Sequence, residues 1–259
     1  MQIADKNISG LLVDLDGVLY VGEQVIAGSI ETVQKLNELG LPHCFVTNTT
    51  THSRTALVQK LSRLGFDIAP QQVMTAPLAA RNYLERKGWP PCKLLLADEV
   101  LNDFEGFEQS DTDAEVVVIG DIGSAWTYEL LNQVFRLVMN GATLVALHKN
   151  KFWQTGRGLM LDIGAFVTGL EYCTGKDAVV VGKPDPHFFQ AAVDQLGLEV
   201  DKVAMVGDDI DSDVGGAQHC GLGGILVRTG KYRREYAEAS AVRPDLVIES
   251  FAALPLDAG

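Results

Sequence analysis

A short apolar run that ends in two carboxylates constrains the fold of this chain most strongly. The run covers residues 11–13, and Asp14, Asp16 and Gly17 follow it. A continuous apolar run of this kind is typical of a strand buried on both faces, as in parallel sheets. Asp14 and Asp16 would point to the same side of that strand. Because buried acids are costly without a cation or a chemical role, we predict a metal-assisted site at the carboxyl end of the strand.

Composition and charge narrow the classes of function. The chain has 259 residues, of which 47% are hydrophobic, enough for one large domain or a domain with an insertion. Its formal net charge of −13 repels phosphate backbones, so we expect no nucleic-acid partner. We see no signal peptide and no apolar stretch near the ~20 residues of a membrane span. We therefore expect a soluble, cytoplasmic protein with no membrane partner. Four cysteines without a CxxC pair favour reduced thiols over a zinc site.

Strand and helix patterns alternate along the whole chain. The strands are predicted around residues 10–15, 42–47, 93–97, 115–119, 143–147, 178–181, 202–206 and 223–227. The helices are predicted around residues 29–39, 53–64, 77–87, 125–140, 165–173, 186–196 and 212–220. Several helices stop at a glycine, as at Gly40 and Gly197, which is a common C-terminal signal. The alternation predicts an α/β fold with parallel sheets and right-handed crossovers.

Four polar motifs follow apolar runs at what would be one edge of one sheet. They are Asp14-x-Asp16-Gly17, the segment 46–50 (VTNTT), the segment 181–184 (VGKP) and the segment 206–213 (VGDDIDSD). Each motif alone could be a solvated turn, a helix cap or an exposed loop. An EF-hand aligned on Asp209 fails, because Val214 and Cys220 stand where it needs glycine and glutamate. One shared site explains all four motifs better than four unrelated turns.

In this order and spacing, the motifs resemble those of the haloacid dehalogenase superfamily of phosphohydrolases. The second motif, with a long insertion before Lys183, is similar to the class IIA (NagD-like) branch with a C2-type cap. Within that branch, residues 47–50, 148–149 and 230–232 resemble the group of the phospholysine phosphohistidine inorganic pyrophosphate phosphatase. The resemblance implies a Rossmann-like parallel-sheet core domain at residues 1–74 and 176–259. It also implies an inserted α/β (C2-type) cap domain at residues 75–175.

The resemblance also assigns roles to residues. Asp14 would be the nucleophile that forms an aspartyl-phosphate, and Asp16 would be the general acid and then the general base. Tuning of the Asp16 pKa is therefore expected. Substrate phosphate would be bound by Thr47, Asn48 and Lys183.

The resemblance and the electrostatics of the acidic residues both imply a divalent metal. Two like charges ~4 Å apart repel by about 4 kcal/mol at an effective dielectric of ~20, so a phosphate cannot approach several aspartates with one lysine alone. The resemblance implies Mg²⁺, bound by the Asp14 carboxylate, the Asp16 backbone carbonyl and the Asp208 carboxylate. It leaves open whether Asp209 or Asp213 contacts the metal.

The resulting prediction is a Mg²⁺-dependent phosphatase. It would cleave small phosphomonoesters, phosphoramidates or pyrophosphate, and by resemblance it would form a homodimer through the cap. Two alternatives stay open: a non-catalytic phosphate-binding or regulatory module of the same fold, and a phosphotransferase such as a mutase. Candidates to contact substrate from the cap are His148, Lys149, Lys151, Phe152, Trp153 and Asp162. For His148 the alternative is a cap-surface residue, and for the two aromatic residues it is packing or dimer contacts.

Overall fold

The computed structural model describes residues 1–3, 6–155 and 158–256. Its strands are β1 Gln2–Ile3, β2 Lys6–Asn7, β3 Gly10–Asp14, β4 Tyr20–Val21, β5 Gln24–Val25, β6 His43–Thr47, β7 Val73–Thr75, β8 Cys92–Leu95, β9 Val116–Ile119, β10 Thr143–Ala146, β11 Phe152–Thr155, β12 Gly158–Leu161, β13 Val179–Val180, β14 Val203–Gly207, β15 Gly223–Val227 and β16 Leu246–Ile248. Its α-helices are α1 Ser29–Glu38, α2 Arg54–Arg63, α3 Ala76–Arg86, α4 Asp98–Leu101, α5 Tyr128–Met139, α6 Gly164–Thr174, α7 Pro186–Leu196, α8 Gly216–His219 and α9 Arg234–Ala239.

The chain forms two compact units. The first unit comprises Met1–Thr47, Thr55–Met74 and Lys183–Gly259, and the second comprises Asn48–Arg54 and Thr75–Gly182. The division into a core domain (1–74, 176–259) and a cap domain (75–175) stays a prediction.

The first unit is built on a six-stranded sheet in the order β16-β15-β14-β3-β6-β7. Strand β3 runs parallel to β14 on one side and to β6 on the other. Every residue of β3, β6, β14 and β15 is buried, which agrees with the mostly apolar sequences of these strands. Because the strand order reverses beside β3, its carboxyl end is a topological switch point, where ligands bind in open α/β sheets.

Helix α1 shows how the local sequence covers one face of this sheet. Val33 and Leu36, three residues apart, are buried in the same hydrophobic cluster as Leu11 and Phe45 of the strands. Complete burial of each such aliphatic side chain is worth about 1.5–3 kcal/mol. The packing therefore holds β3 rigidly at the centre of the unit.

Helix α7 shows how local signals place the residues before it. The Asp185 carboxylate caps the helix by accepting a hydrogen bond from the His187 backbone N–H, and Pro186 occupies the first turn. Gly197 ends the helix with a φ of 66°, a conformation that favours glycine. These signals fix the start of α7 three residues after Lys183.

The second unit contains a four-stranded parallel sheet in the order β13-β10-β9-β8. Strands β11 and β12 form a separate antiparallel hairpin. The hydroxyl groups of Thr75 and Thr127 cap helices α3 and α5 by accepting hydrogen bonds from the backbone N–H groups of Leu78 and Leu130.

The predicted α/β fold with parallel sheets is confirmed. All eight predicted strands are present, with small shifts at their ends. The last predicted helix differs, because residues Ile210–Gly215 form a π-helical turn before the short helix α8. The edge strands β7 and β16 and the hairpin β11–β12 were not predicted. In the part of the chain that the structure describes, every helix is too short or too polar to cross a membrane.

Candidate active site

Three buried aspartates meet at the carboxyl edge of the six-stranded sheet. Asp14 is the last residue of β3, Asp208 directly follows β14, and Asp213 lies in the π-helical turn after it. One carboxylate oxygen from each lies within 4.8 Å of the others. Sequence analysis placed all three at this edge, because the strands that precede them are parallel neighbours.

Lys183 is the cation that pairs with this cluster. Its Nζ lies 2.7 Å from Asp14 Oδ1 and 2.7 Å from Asp213 Oδ1. Its side chain is only 3% exposed. Desolvation lowers the pKa of the Lys183 ammonium, but the charges of Asp14 and Asp213 outweigh it and raise the pKa above the usual range. Lys183 therefore stays charged at neutral pH.

Lys183, with the nearby charge of Lys231, does not fully offset the burial of three acids. Burial, followed by the charges of Asp14 and Asp213, raises the pKa of Asp208 to about 8. Burial also raises the pKa of Asp213 to about 6, although Lys183 opposes this shift. The cluster therefore binds protons unless a further cation offsets its charge.

The donor set at Asp208 fits such a cation. Asp208 Oδ2 accepts a hydrogen bond from the Lys231 backbone N–H at 2.6 Å. Asp208 Oδ1 is buried and has no hydrogen-bond partner among the described residues. A buried carboxylate oxygen without a partner is costly, and an all-oxygen donor set suits a hard divalent ion such as Mg²⁺. The residues present therefore fit a divalent metal.

Asp16 lies on the turn directly after β3. The Gly17 N–H donates a hydrogen bond to the Tyr20 carbonyl at 2.7 Å and closes this turn. Much of the Asp16 residue is exposed, but protein atoms surround its carboxyl group. This desolvation, followed by the Asp14 charge, raises the pKa of Asp16, while Lys231 and Lys60 lower it. The protonated form that a general acid needs is therefore more populated than in a free aspartate.

Gly17 is required at its position by space and by backbone conformation. Its φ is 89°, and a Cβ atom there would come within 1.9 Å of Asp208 Oδ2. Any larger residue would therefore push Asp208 away from the cluster.

The two polar residues of the second motif fall on different units. Thr47 is buried at the end of β6, one residue beyond Val46, the register partner of Asp14. Asn48 begins the second unit, where a Cβ atom on Gly182 would come within 2.7 Å of its Oδ1. The structure thus groups Thr47 with Asp14 in the first unit and assigns Asn48 to the second. The substrate-binding role of both residues stays a prediction.

Several residues around Asp16 lie outside the motifs that the sequence singles out. The Thr229 hydroxyl donates a hydrogen bond to the Gly17 carbonyl at 2.5 Å. Lys60 Nζ lies 4.3 Å from the centre of the Tyr20 ring, a cation–π contact next to the Asp16 turn. Thr229 could have been found from the sequence, because it follows β15 at the same carboxyl edge. Lys60 lies on helix α2 and carries no comparable sequence signal.

The candidate substrate residues of the predicted cap lie in the second unit. His148 is 4% exposed, so the interpretation as a surface residue is wrong. Its Nε2 lies 3.8 Å from Asp162 Oδ1, and Asp162 is also buried. Lys149 Nζ pairs with Glu171 Oε2 at 2.5 Å, while Phe152 is 47% exposed. The Trp153 side chain lies outside the described part of the chain.

A parallel sheet with a buried Asp–Lys–Asp cluster at its switch point defines a class of hydrolase. The haloacid dehalogenase-like hydrolase family model matches residues 11–124, and a second model of haloacid dehalogenase-like hydrolases matches residues 180–254. The chain belongs to the haloacid dehalogenase-like hydrolase family, as the sequence motifs predicted.

Individual relatives are similar over nearly the whole chain. The haloacid dehalogenase-like hydrolase domain-containing protein 2 of Bos taurus is 43% identical over 95% of this chain and 94% of the relative. The phospholysine phosphohistidine inorganic pyrophosphate phosphatase of Homo sapiens is 39% identical over 95% of this chain and 92% of the relative. The structure of 4-nitrophenylphosphatase from Thermotoga maritima is similar with a TM-score of 0.90 and 27% identity, covering 97% of each chain. These comparisons confirm the predicted enzyme class, a phosphohydrolase of this family.

Proposed function

We propose that this chain is a Mg²⁺-dependent phosphatase that cleaves small phosphomonoesters, phosphoramidates or pyrophosphate through an aspartyl-phosphate at Asp14. The observation that carries the proposal is the buried contact of Asp14 and Asp213 with Lys183, next to Asp208 Oδ1, which has no hydrogen-bond partner among the described residues. A structural core gains little from burying three acids, whereas phosphoryl transfer uses such an arrangement.

Asp14 is the nucleophile in this proposal. Its Oδ1 is paired with Lys183, which leaves the other carboxylate oxygen to attack phosphorus. Lys183 would also bind a phosphoryl oxygen, so that one charge would serve both the nucleophile and the transferred group. Thr47, buried at the end of β6, would donate its hydroxyl proton to another phosphoryl oxygen. Asn48, the residue after Thr47, would also bind the phosphate.

Asp16 is the general acid and base in this proposal. In its protonated form it donates a proton to the leaving oxygen or nitrogen, so that the departing group leaves neutral. The resulting carboxylate then takes a proton from the water that hydrolyses the aspartyl-phosphate. The raised pKa of Asp16, caused by desolvation and by Asp14, supports the first of these steps.

Mg²⁺ would be bound by the Asp14 carboxylate, the Asp16 backbone carbonyl and the Asp208 carboxylate. When bound, it supplies positive charge against the phosphoryl oxygens and the acid cluster. Asp213 pairs with Lys183 and so orients the ammonium toward Asp14. A direct contact between the metal and Asp209 or Asp213 is not part of the proposal.

The proposed substrate class is based on the names of the relatives. Relatives carry the names of 4-nitrophenyl, phospholysine, phosphohistidine and pyrophosphate phosphatases. These substrates share a terminal phosphoryl group on a small leaving group, attached through oxygen or nitrogen. We infer the same range for this chain.

We also propose that residues 75–175 act as the cap domain and that the protein dimerises through it. The compact second unit supports the first point. The exposed Tyr128, Leu161 and Tyr172 of that unit support the second. Light scattering of the wild type against Tyr172→Glu tests the dimer, and an unchanged mass would contradict it. A cytoplasmic location stays a prediction.

The test of the function is phosphate release from p-nitrophenyl phosphate, pyrophosphate and phospholysine, with Mg²⁺ and with EDTA. We expect release from at least one of them with Mg²⁺, none with EDTA, and none from Asp14→Asn. Asp211→Asn is the control, because Asp211 is exposed and lies outside the cluster. A wild type that binds these compounds without turnover would favour the phosphate-binding module instead.

A further inference from the structure

The segment Thr229–Lys231, directly after β15, contacts both the Asp16 turn and Asp208. The Thr229 hydroxyl donates a hydrogen bond to the Gly17 carbonyl at 2.5 Å. Two residues later, the Lys231 backbone N–H donates to Asp208 Oδ2 at 2.6 Å. The two hydrogen bonds connect the loop after β15 to the loops after β3 and β14.

Gly230 brings the backbone of this segment very close to the site. Its φ is 60°, and a Cβ atom there would lie 2.1 Å from Asp208 Oδ2 and 2.4 Å from Gly17 Cα. Gly17 approaches the same oxygen, since its own Cβ would lie 1.9 Å from it. The Asp208 carboxylate is thus confined by two glycines, and neither position has room for a side chain.

This confinement decides which oxygen of Asp208 is available. Oδ2 is engaged by the Lys231 N–H, whereas Oδ1 is buried without a partner among the described residues. A carboxylate fixed in this way presents one oxygen in a constant direction, which lowers the cost of ordering it when a ligand binds.

We propose that Thr229, Gly230 and Lys231 form a positioning clamp that fixes Asp208 for the metal and holds the Asp16 turn. The clamp rests on the proposed function, because it positions residues of that same site. Thr229 and Gly230 act through Gly17 and Asp208 and are positioning residues. Because the clamp at Lys231 is a backbone N–H, substitution of the Lys231 side chain leaves this contact in place.

Gly230→Ala is the direct test, and the chain offers a matched control. Gly40 also has a φ of 60°, but a Cβ atom there meets nothing within 4 Å. Gly40→Ala therefore imposes the same backbone strain without touching the site. Any loss of Mg²⁺ affinity in Gly230→Ala beyond that in Gly40→Ala measures the clamp.

Thr229 provides a second test that does not require a new Cβ in a crowded place. Thr229→Val keeps the shape of the side chain and removes the hydroxyl donor to Gly17. Thr229→Ser keeps the donor and removes a methyl group. The clamp predicts that Thr229→Val loses Mg²⁺ affinity and that Thr229→Ser keeps it. A packing role predicts the reverse, because valine keeps the shape of the side chain and serine does not.

The measurement is the Kd for Mg²⁺ by titration calorimetry, with melting curves to show that each variant is folded. We expect Gly230→Ala to bind Mg²⁺ at least about tenfold more weakly, as for other residues that orient metal ligands, and Gly40→Ala to bind like the wild type. Thr229→Val should bind more weakly and lower kcat more than it raises KM, with both restored by serine. If Gly230→Ala does not fold, the comparison of Thr229→Val with Thr229→Ser tests the clamp.

Failure of the clamp and failure of the function are distinguishable. A wild type that binds no Mg²⁺ and releases no phosphate overturns both. The clamp alone is overturned if the wild type binds Mg²⁺ and releases phosphate, and if Thr229→Val and folded Gly230→Ala bind Mg²⁺ as tightly as the wild type.

Discussion

Lys183 Nζ lies 2.7 Å from Asp14 Oδ1, although the two residues are 169 positions apart in the chain. The contact joins the carboxyl end of β3 to the loop that precedes α7, and both partners are buried. In a salt bridge buried to this degree, each partner depends on the other, because removing one leaves the other charge buried without its contact partner. The contact therefore couples stability and activity at one place.

Lys183→Met should reduce both stability and activity. Removing the ammonium leaves Asp14 and Asp213 buried without the cation that contacts them, and breaking such a pair costs about 3–5 kcal/mol. Urea unfolding in EDTA measures this loss, and phosphate release should fall to background in the same variant.

Lys202→Met is the matched control for that substitution. Lys202 pairs with Asp201 on the surface, where both side chains are well exposed. Exposed pairs contribute about 0–1 kcal/mol, so little change is expected. Equal losses in the two variants would show that the buried contact with Asp14 has no special importance.

Asp16→Asn should affect substrates according to their leaving groups. Loss of a general acid costs about 10²- to 10⁴-fold when the leaving group needs a proton. An alkyl phosphate needs that proton, whereas 4-nitrophenolate is a stable anion without it. We therefore expect the ratio of wild-type to variant kcat to be larger for an alkyl phosphate than for p-nitrophenyl phosphate. A uniform loss on both would indicate that Asp16 does not donate a proton.

Asp208→Asn should separate metal binding from stability. Burial and the neighbouring acids raise the pKa of Asp208 from 3.8 to about 8. The metal-free protein therefore loses stability as the pH rises from about 4, and the full loss is reached above about pH 8. At pH 9 in EDTA, the asparagine variant should be more stable than the wild type to urea. With Mg²⁺ at 100 times its Kd, the wild type alone should gain about 2.7 kcal/mol. Equal gains in both proteins would exclude Asp208 as a metal ligand.

His43 gives the first unit a pH-dependent contact at the start of β6, at the opposite end of that strand from Thr47. Its Nδ1 lies 2.7 Å from the Leu41 carbonyl and therefore donates, so Nε2 accepts from Gln72 Nε2 at 3.1 Å. The Gln72 amide is oriented by its Oε1, which accepts from the Ala69 N–H. A second proton on His43, at Nε2, would thus face the donor group of Gln72 Nε2.

The sign of the pH effect follows from this geometry. Burial lowers the pKa of His43 below its usual value, against the smaller opposite effect of the Leu41 hydrogen bond. The neutral form stabilises the fold fully above about pH 6.5, the usual value for an unfolded histidine, and this stability is lost as the pH falls through the folded pKa. Urea unfolding from pH 7.5 to 5 should show a smaller decline in His43→Gln than in the wild type. The exposed His219→Gln should decline like the wild type, and a flat wild-type profile would contradict the prediction.

The central sheet was predictable because its strands obey a simple physical rule. Strands buried on both faces are mostly apolar, so β3, β6, β14 and β15 stand out by their apolar centres. Edge strands carry a weaker signal, since one side is exposed, and β16 with its exposed Val247 was missed for that reason. The hairpin β11–β12 was missed, although Gly156 in the two-residue connection of its strands is a common hairpin signal.

The acid cluster was predictable for the same reason, because parallel strands bring their carboxyl ends to one edge. What sequence could not show is which backbone groups surround it. The Lys231 N–H that engages Asp208 and the close approach of Gly17 to Gly230 depend on backbone positions, not on side-chain chemistry. The burial of His148 was likewise hidden, because an isolated histidine after a strand fits a surface loop equally well.

The most direct measurement is trapping of the phosphorylated enzyme. Substrate and Mg²⁺ are mixed with the wild type, the reaction is quenched in acid within milliseconds, and peptides are mapped by mass spectrometry after borohydride reduction, which converts an aspartyl-phosphate to homoserine. We predict conversion at Asp14 alone, and none in Asp14→Asn. Phosphate release in a single turnover without any modification of Asp14 would contradict the covalent mechanism.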